Sequence, residues 1–453
     1  MLQANQNSMN EGTRSSTVVR HQSAHQESNV GFYLVLVALL FEFGRPQDFL
    51  PPLKVIPFPS LIDVSLFLAV LASGKATFAN KQTKLWIGLL VFMALWVPFA
   101  TNNYKALMNF KDMTLYFFFY FGIVTFINNS SRMHKLVLMW LGVHTVLAVN
   151  GMLHGGRGVG GWLGDENDFA MEMNVAIPVA FFMYQAAKSQ RAKLLYVVLL
   201  GLFVMSVVAT SSRGGFLGLL AVGSYCWFYS PRKIMSLILG MCLAGLVLIA
   251  APQEYWDRIN SITDDNTMES GTAGQRMFTW GIGWEMFLDN PIFGVGQANF
   301  PWRIGEYMGG RTWQTKSLAG RQAHSLYFTL LPELGLVGVA IFGAMVWFNY
   351  RDTRVQGVIH RAPREIVDRS GAGEDLQISR AILFGNAIFG GMIGYLATSA
   401  FISTLYYPTF WIMMALAVAL RNTTQTYGAN QTKIVAADVP PRVPSWMKLR
   451  SVR

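Results

Sequence analysis

Ala251-Pro252-Gln253-Glu254-Tyr255-Trp256 opens, and Ala323-His324-Ser325-Leu326-Tyr327 closes, a long polar, Gly-rich and aromatic stretch. The rest of the chain is mostly apolar runs joined by short links. The stretch carries six basic residues, from Arg258 to Arg321. A segment of this kind between apolar runs decides the class of fold. The runs read as membrane spans and the stretch as one large water-side loop pressed against them. Its ends, where Arg and His meet the membrane edge, are where chemistry is expected.

Composition agrees. Of 453 residues, 52% are hydrophobic and 13% charged, with a mean hydropathy of +0.33. Soluble domains carry about a quarter charged residues, so this is a polytopic membrane protein. Cys226 and Cys242 both lie in apolar runs, which excludes a disulfide framework or a thiolate metal site. Residues 1–29 are polar without an apolar core, and are expected to be a disordered cytoplasmic tail rather than a cleaved signal peptide.

At about 20 apolar residues per crossing, fewer with aromatic anchors, twelve spans are expected. They lie near 29–43, 59–74, 84–100, 113–127, 134–152, 168–187, 192–209, 214–229, 233–251, 324–349, 379–404 and 406–420. The fold class is thus all-α, with nine spans in 30–251, a large periplasmic loop at 252–323 containing short helices, three spans in 324–420 and a basic cytoplasmic tail at 421–453. With the N-terminus in the cytoplasm, that side holds 24 Lys and Arg against 6 in the short external loops. The positive-inside rule then places both termini in the cytoplasm and the long loop outside. The net charge of +11 serves topology and anionic lipid headgroups rather than nucleic acid.

The external links carry the unusual residues. The third holds Gly155-Gly156-Arg157-Gly158 and then Gly164-Asp165-Glu166-Asn167-Asp168 at the start of a helix. Asp165, Asp168 and Glu172 share a helix face, as N-capping groups and a buried polar contact or as functional acids. Between the seventh and eighth spans, Ser211-Ser212-Arg213-Gly214-Gly215 sets an Arg at the membrane edge. It is either a snorkelling anchor or functional, and its small neighbours favour function.

In the long loop, Thr272-Ala273-Gly274-Gln275 matches a capping box and Asn290-Pro291 a helix stop. The helix between would carry a stripe of Met277, Trp280, Trp284 and Phe287 suited to the membrane surface. Arg276 falls in its first turn, where a bound anion would offset the unfavourable dipole. His324 opens the tenth span, with Tyr327 and Phe328 on its face and Arg311, Lys316 and Arg321 just before it. Glu333, beside Pro332 at membrane depth, is expected to be a structural partner for another helix, facing away from His324 on a straight helix.

Four motifs now stand in order: Gly164-x-x-Asn167-x-x-Ala170; Ser211-Ser212-Arg213-Gly214-Gly215; Arg276-x3-Trp280 running on to Asn290-Pro291-x-Phe293-Gly294-Val295-Gly296-x-x-Asn299-Phe300; and His324-Ser325-x-Tyr327 with Glu333-x-Gly335-x-x-Gly338. Over residues 160–345 the chain resembles the O-antigen ligase and polymerase family of bacterial envelope glycosyltransferases. The resemblance implies an inner-membrane enzyme that moves a glycan from undecaprenyl diphosphate to an acceptor hydroxyl on the periplasmic face, with no metal or other cofactor. It implies that Arg213 and Arg276 bind the diphosphate and that His324 is catalytic. Position adds Arg311, Arg321 and Tyr327 as substrate-binding candidates. The first external loop has no Asp-x-Asp or Glu-x-Asp pair, in keeping with a metal-free site.

Elementary chemistry points the same way. Arg binds phosphate bidentately and stays charged, and a His can take the acceptor proton near neutral pH. The acceptor stays open among lipid A core, a growing polymer and a protein side chain. A secondary transporter is the rival from another class, but such carriers show two matching halves, and none is visible here. The orientation is testable: cysteine introduced at Thr267 should react with an impermeant thiol reagent on intact spheroplasts, whereas cysteine at Gly371 should not. The reverse pattern would invert the topology.

Overall fold

A computed structural model describes residues 29–260, 272–354 and 372–438; within them the chain is helical, with one isolated β-bridge between Trp313 and Lys316. The tail expected at the N-terminus, positions Thr267 and Gly371, and residues 439–453 lie outside the described residues. Helices α1 (Val30–Leu39, passing into a π turn over Leu40–Gly44), α2 (Phe58–Ala72), α3 (Lys81–Trp96), α4 (Asn103–Phe126), α5 (Ser130–Leu153), α6 (Glu166–Ala186), α7 (Gln190–Ala209), α8 (Arg213–Tyr229) and α9 (Lys233–Ala250) come first. The loop region contributes Gln253–Asn260, α10 (Thr272–Asp289) and α11 (Phe300–Met308). Then follow α12 (Tyr327–Thr353), α13 (Ala372–Thr398) and α14 (Pro408–Asp438).

A helix covers each of the stretches read as spans. Among the described residues six are long and apolar enough to cross a bilayer: Lys81–Phe99, Ser130–Leu153, Gln190–Ala209, Lys233–Ala250, Tyr327–Thr353 and Ser379–Phe401. The others differ for physical reasons. Helices α1 and α2 are apolar but short. Helix α6 is buried without interruption from Asp168 to Met183, and α14 from Pro408 to Leu420, so both face protein rather than lipid and can carry polar groups. Helix α9 is the converse, apolar and almost wholly exposed. The C-terminal segment expected as a tail from 421 instead begins as helix, because α14 runs on to Asp438. Arg421 holds it there, pairing with the buried Asp352 of α12 at 2.9 Å.

The main core joins α1–α8 with α12–α14, and a second, smaller core lies under α10 and α11, built from Ile282, Met286, Val295, Phe300, Ile304 and Met308. Helix α10 spans the residues expected of it, but its stripe divides. Trp280 and Phe287 pack inward, whereas Met277 and Trp284 are exposed and the buried face runs through Thr279, Ile282, Gly283 and Met286. An inner and an outer apolar face suit a helix lying between the bundle and the membrane surface.

The two cores are tied at a break in α12. Gly335 leaves the helix (φ 60°, ψ −161°), just past Pro332. A broken helix in lipid must have its backbone groups satisfied by protein, and here the link 291–296 does so. Val295 N–H donates to Pro332 C=O (2.8 Å), Gly296 N–H to Glu333 C=O (2.9 Å), Leu336 N–H to Pro291 C=O (2.8 Å) and Val337 N–H to Ile292 C=O (3.1 Å). The Glu333 carboxylate, fully buried, accepts from Ala298 N–H (2.8 Å), Phe300 N–H (2.9 Å) and Tyr406 O–H (2.6 Å). Glu333 is structural, as expected, but its partners are loop backbone and Tyr406 rather than a neighbouring span.

Gly294 makes this approach possible: its φ is +71°, and a Cβ there would stand 2.4 Å from the Glu333 backbone. Gly294→Ala should therefore lower the thermal midpoint of purified protein, with about 1–3 kcal/mol from the backbone conformation alone. Gly281→Ala, in α10 with open space around it, should be neutral or stabilising by about 0.5–1 kcal/mol. Equal midpoints for the two variants would mean that the link does not lock the loop to α12.

Candidate functional site

The first two motifs fold onto each other. Asp165 caps α6, accepting from Asn167 N–H at 2.8 Å. Ser212 caps α8, accepting from Gly215 N–H (3.0 Å) while its hydroxyl donates to Asn167 Oδ1 (2.7 Å). Two turns further along α6, the Asn174 amide donates to Gly215 C=O (2.9 Å) and Thr398 Oγ1 (3.0 Å). A Cβ at 215 would stand 2.8 Å from that of Ala170, so the small residues let α6 and α8 close on each other. Arg213 is thereby fixed as the first residue of α8.

Arg276 meets Arg213 in a cavity of about 230 Å³, whose other walls include Leu217, Met277, Trp280 and Phe401. Neither Arg has a carboxylate partner within ion-pair distance among the described residues. Burial first, and then the Arg213 charge, hold the Arg276 pKa below the ordinary guanidinium value, with Asp165 opposing. Two unneutralised guanidiniums in an apolar wall make a site for an anion with more than one charge and an apolar attachment.

His324 lines a second cavity, of about 440 Å³, together with Asp165, Asn167, Asp168, Glu333 and Tyr407; Phe401 lies in the walls of both cavities. His324 is not the first residue of α12. It has φ +50° and precedes Leu326, whose N–H donates to Ser399 C=O at 2.8 Å, and the helix starts at Tyr327. Helical spacing therefore does not govern its neighbours. Phe328 stacks on Trp280 (5.1 Å, 3°), and the Trp280 indole N–H donates to Ala323 C=O (2.8 Å). Arg276 and His324 are thus held through Trp280, one turn from the first and against the backbone beside the second. Because His324 precedes the helix in a left-handed conformation, Glu333 and His324 face one cavity rather than opposite sides. The His324 pKa is lowered from the ordinary 6.5, by burial first, then by Arg276 and Arg321, with Asp165 opposing.

Three sequence candidates stand elsewhere. Arg311 makes a bidentate exposed pair with Glu285 (2.8 and 2.5 Å) and lines neither cavity. Tyr327 turns to α13, its O–H donating to Leu396 C=O at 3.1 Å. Arg321 lies near enough to His324 to act on it through space, but borders a separate outer groove with Trp313, Gln314 and Lys316. Sequence reading did not find Asn109, Trp162, Phe401 or Tyr407 in the walls. Only the Tyr406-Tyr407-Pro408 turn carried a signal, and it reads as a connector.

The fold and this arrangement define a multi-pass helical membrane protein with a polar site under its loop. Residues 195–343 match the family model described as O-antigen ligase, and this match supports the chain as a member of the O-antigen ligase family. The matched region contains Arg213, Arg276 and His324 and ends in α12. No curated protein matches the chain.

The electrostatics make a signed prediction for His324. Burial and Arg276 disfavour the imidazolium, so the ring should titrate below pH 6.5 and be neutral above it. In NMR titration of histidine-labelled protein, Arg276→Gln should move that midpoint up, and Asp165→Asn should move it down. Opposite shifts would show that the two charges do not act on His324 as placed.

Proposed function

We propose that this protein is a membrane glycosyltransferase that transfers a glycan from undecaprenyl diphosphate to an acceptor hydroxyl on the periplasmic side, without a metal. The observation that carries the reading is the meeting of Arg213 and Arg276 in one apolar-walled cavity that adjoins, across Phe401, the polar cavity of His324. The diphosphate is held by the two guanidiniums, and the polyprenyl chain leaves along Leu217 and Met277. His324, neutral above pH 6.5, takes the acceptor proton as the hydroxyl oxygen attacks the anomeric carbon. The bond from that carbon to the diphosphate oxygen breaks, and the departing charge stays on the arginines.

Preorganised donors of this kind are worth roughly 100- to 1,000-fold in rate each in a water-poor site. General-base catalysis adds roughly 100- to 10,000-fold. The orientation, the twelve crossings and the inner-membrane location are part of the same proposal. The crossings rest on the apolar runs, the orientation on the distribution of Lys and Arg, and the location on the family resemblance.

The test is transfer by purified, folded protein in the presence of EDTA, with donor binding measured separately. His324→Ala should bind donor and fail to turn over. Arg276→Ala should lose roughly 100-fold or more, and Arg276→Lys less, because the charge remains but the bidentate fork is gone. Arg311→Ala, which breaks an exposed pair, should stay within about fivefold of the parent. Near-normal transfer by His324→Ala, or loss of all transfer with EDTA and its return with magnesium, would overturn this mechanism.

A further inference from the structure

A third hollow lies outside the two cavities of the proposed reaction. It is a groove of about 600 Å³ between the start of α10, at Thr272 and Gln275, and the segment that carries Trp313, Gln314, Lys316 and Arg321. Trp313 and Lys316 oppose each other across a tight turn, each N–H donating to the other's C=O (3.0 and 2.8 Å), so their side chains leave it on one side. The two residues between them, Gln314 and Thr315, have left-handed backbone (φ 46° and 68°), which is costly for a β-branched side chain above all. The Trp313 ring packs beside Phe278, with centroids 5.7 Å apart, and is thereby held in the wall.

The groove is cationic. Lys316 and Arg321 are exposed, neither has a carboxylate within ion-pair distance among the described residues, and no carboxylate among those residues lines the groove. The glutamates of α10 and α11 are engaged elsewhere, Glu285 with Arg311 (2.5 Å) and Glu306 with Arg303 (2.7 Å). Around the two cations stand the amides of Gln275 and Gln314, the Thr272 hydroxyl and the Trp313 ring. The volume is that of a small-molecule site, and the lining offers neutral hydrogen-bonding groups and an aromatic face besides charge. An acidic sugar uses all three, whereas a bare anion uses only the charge. Gln275 shares the face of α10 that runs through Thr279, Ile282 and Met286, away from the exposed stripe of Met277, Trp284 and Leu288. The groove is thus set off from the side suited to lipid.

Its position says which sugars it would hold. Thr272 lies in the walls of both the groove and the arginine cavity. Gln322 lines the His324 cavity, and its chain neighbour Arg321 borders the groove. A glycan whose first sugar reacts beside Phe401 has further sugars to place outside both cavities, and this groove adjoins both. We infer that the groove is a subsite for the non-reacting sugars of the donor glycan, and that it selects acidic sugars, bearing a uronate or phosphate, over neutral ones. The assignment to the donor rests on the proposed function; the acidic-saccharide site rests on the groove alone.

The test measures dissociation constants of trigalacturonate and its neutral counterpart galactotriose for the purified full chain in phosphatidylcholine nanodiscs. Trigalacturonate should bind, and galactotriose should bind more weakly by about fivefold or more, the worth of two exposed charge contacts. The gap should narrow as salt is raised. Lys316→Gln combined with Arg321→Gln should abolish it, and Lys316→Gln alone, at an exposed position, should reduce it in a variant that folds. Arg213→Gln, in the arginine cavity, should leave it in place. Undecaprenyl diphosphate linked to trigalacturonate should displace the free trimer, and undecaprenyl diphosphate without sugar should not.

No binding, equal binding of the two trimers, a preference that survives the double substitution, or one lost in Arg213→Gln overturns the inference. Displacement by inorganic phosphate or by glycerol phosphate at the trimer's own concentration would show a site for a bare anion or a lipid headgroup, and overturns it too. If the sugar-linked diphosphate leaves the trimer in place, the assignment to the donor falls. The proposed function fails separately: transfer that persists in His324→Ala removes that mechanism and leaves the binding of acidic trimer as measured.

Discussion

The break in α12 is the constraint on which the rest depends. A helix interrupted at membrane depth exposes amide and carbonyl groups that lipid cannot satisfy. Here the missing partners come from another part of the chain, residues 291–296, which run beside Pro332–Val337 and join them by four backbone hydrogen bonds. The Glu333 carboxylate adds a second lock by accepting the N–H groups of Ala298 and Phe300 at the start of α11. Leaving such groups unpaired would cost about 1–3 kcal/mol each. The link therefore belongs to the membrane core energetically while belonging to the loop in sequence. Gln297 and Asn299 extend the attachment: the Gln297 amide donates to Met93 C=O at 2.8 Å, and Asn299 Oδ1 accepts from Asn102 N–H at 2.7 Å.

Once the link is fixed, the position of α10 follows. Its C-terminus leads into the link, and its middle is pinned by Trp280 against Ala323 and Phe328. Arg276 then falls over the start of α8, where Arg213 is held by the Ser212 cap and by Asn167. Two guanidiniums are brought together, and neither has a carboxylate within ion-pair distance among the described residues. Burial first, and then their mutual repulsion, lower the pKa of Arg276, and a bound anion would relieve the repulsion. Burial first, and then the Arg276 charge, likewise lower the His324 pKa. In the proposed reaction one arrangement of charge would serve both anion binding and base function.

Much of this was legible in the sequence, for identifiable reasons. Apolar runs and their periodicity place the helices, because span length is set by bilayer thickness. Arg213, Arg276 and His324 were legible because each stands in a motif or at the end of the polar stretch; the structure puts the two arginines in one cavity and His324 in the next. Arg311 was named by position alone, and position cannot reveal that Glu285 lies 2.5 Å away. The tenth span was expected to start at His324, since its apolar run does. The left-handed backbone at His324 leaves no mark in composition, and it removed Tyr327 from the face assigned to it. The partners of Glu333 were hidden for a related reason: backbone amides leave no trace in a sequence pattern.

The two cavities divide the charges of the proposed reaction between them. The arginine cavity is cationic with apolar walls, so it suits the group that leaves with the charge. The His324 cavity is lined by carboxylates, amides and aromatic rings, so it suits the group that arrives with a hydroxyl. Asp165 stands at the seam, close enough to act on both Arg276 and His324. It opposes what Arg276 does to His324. A site built only of cations would bind the diphosphate and leave a poorer base. A site built only of acids would hold the imidazolium and repel the donor. Phe401 lies in the walls of both cavities, so in the proposed reaction donor and acceptor would meet beside it.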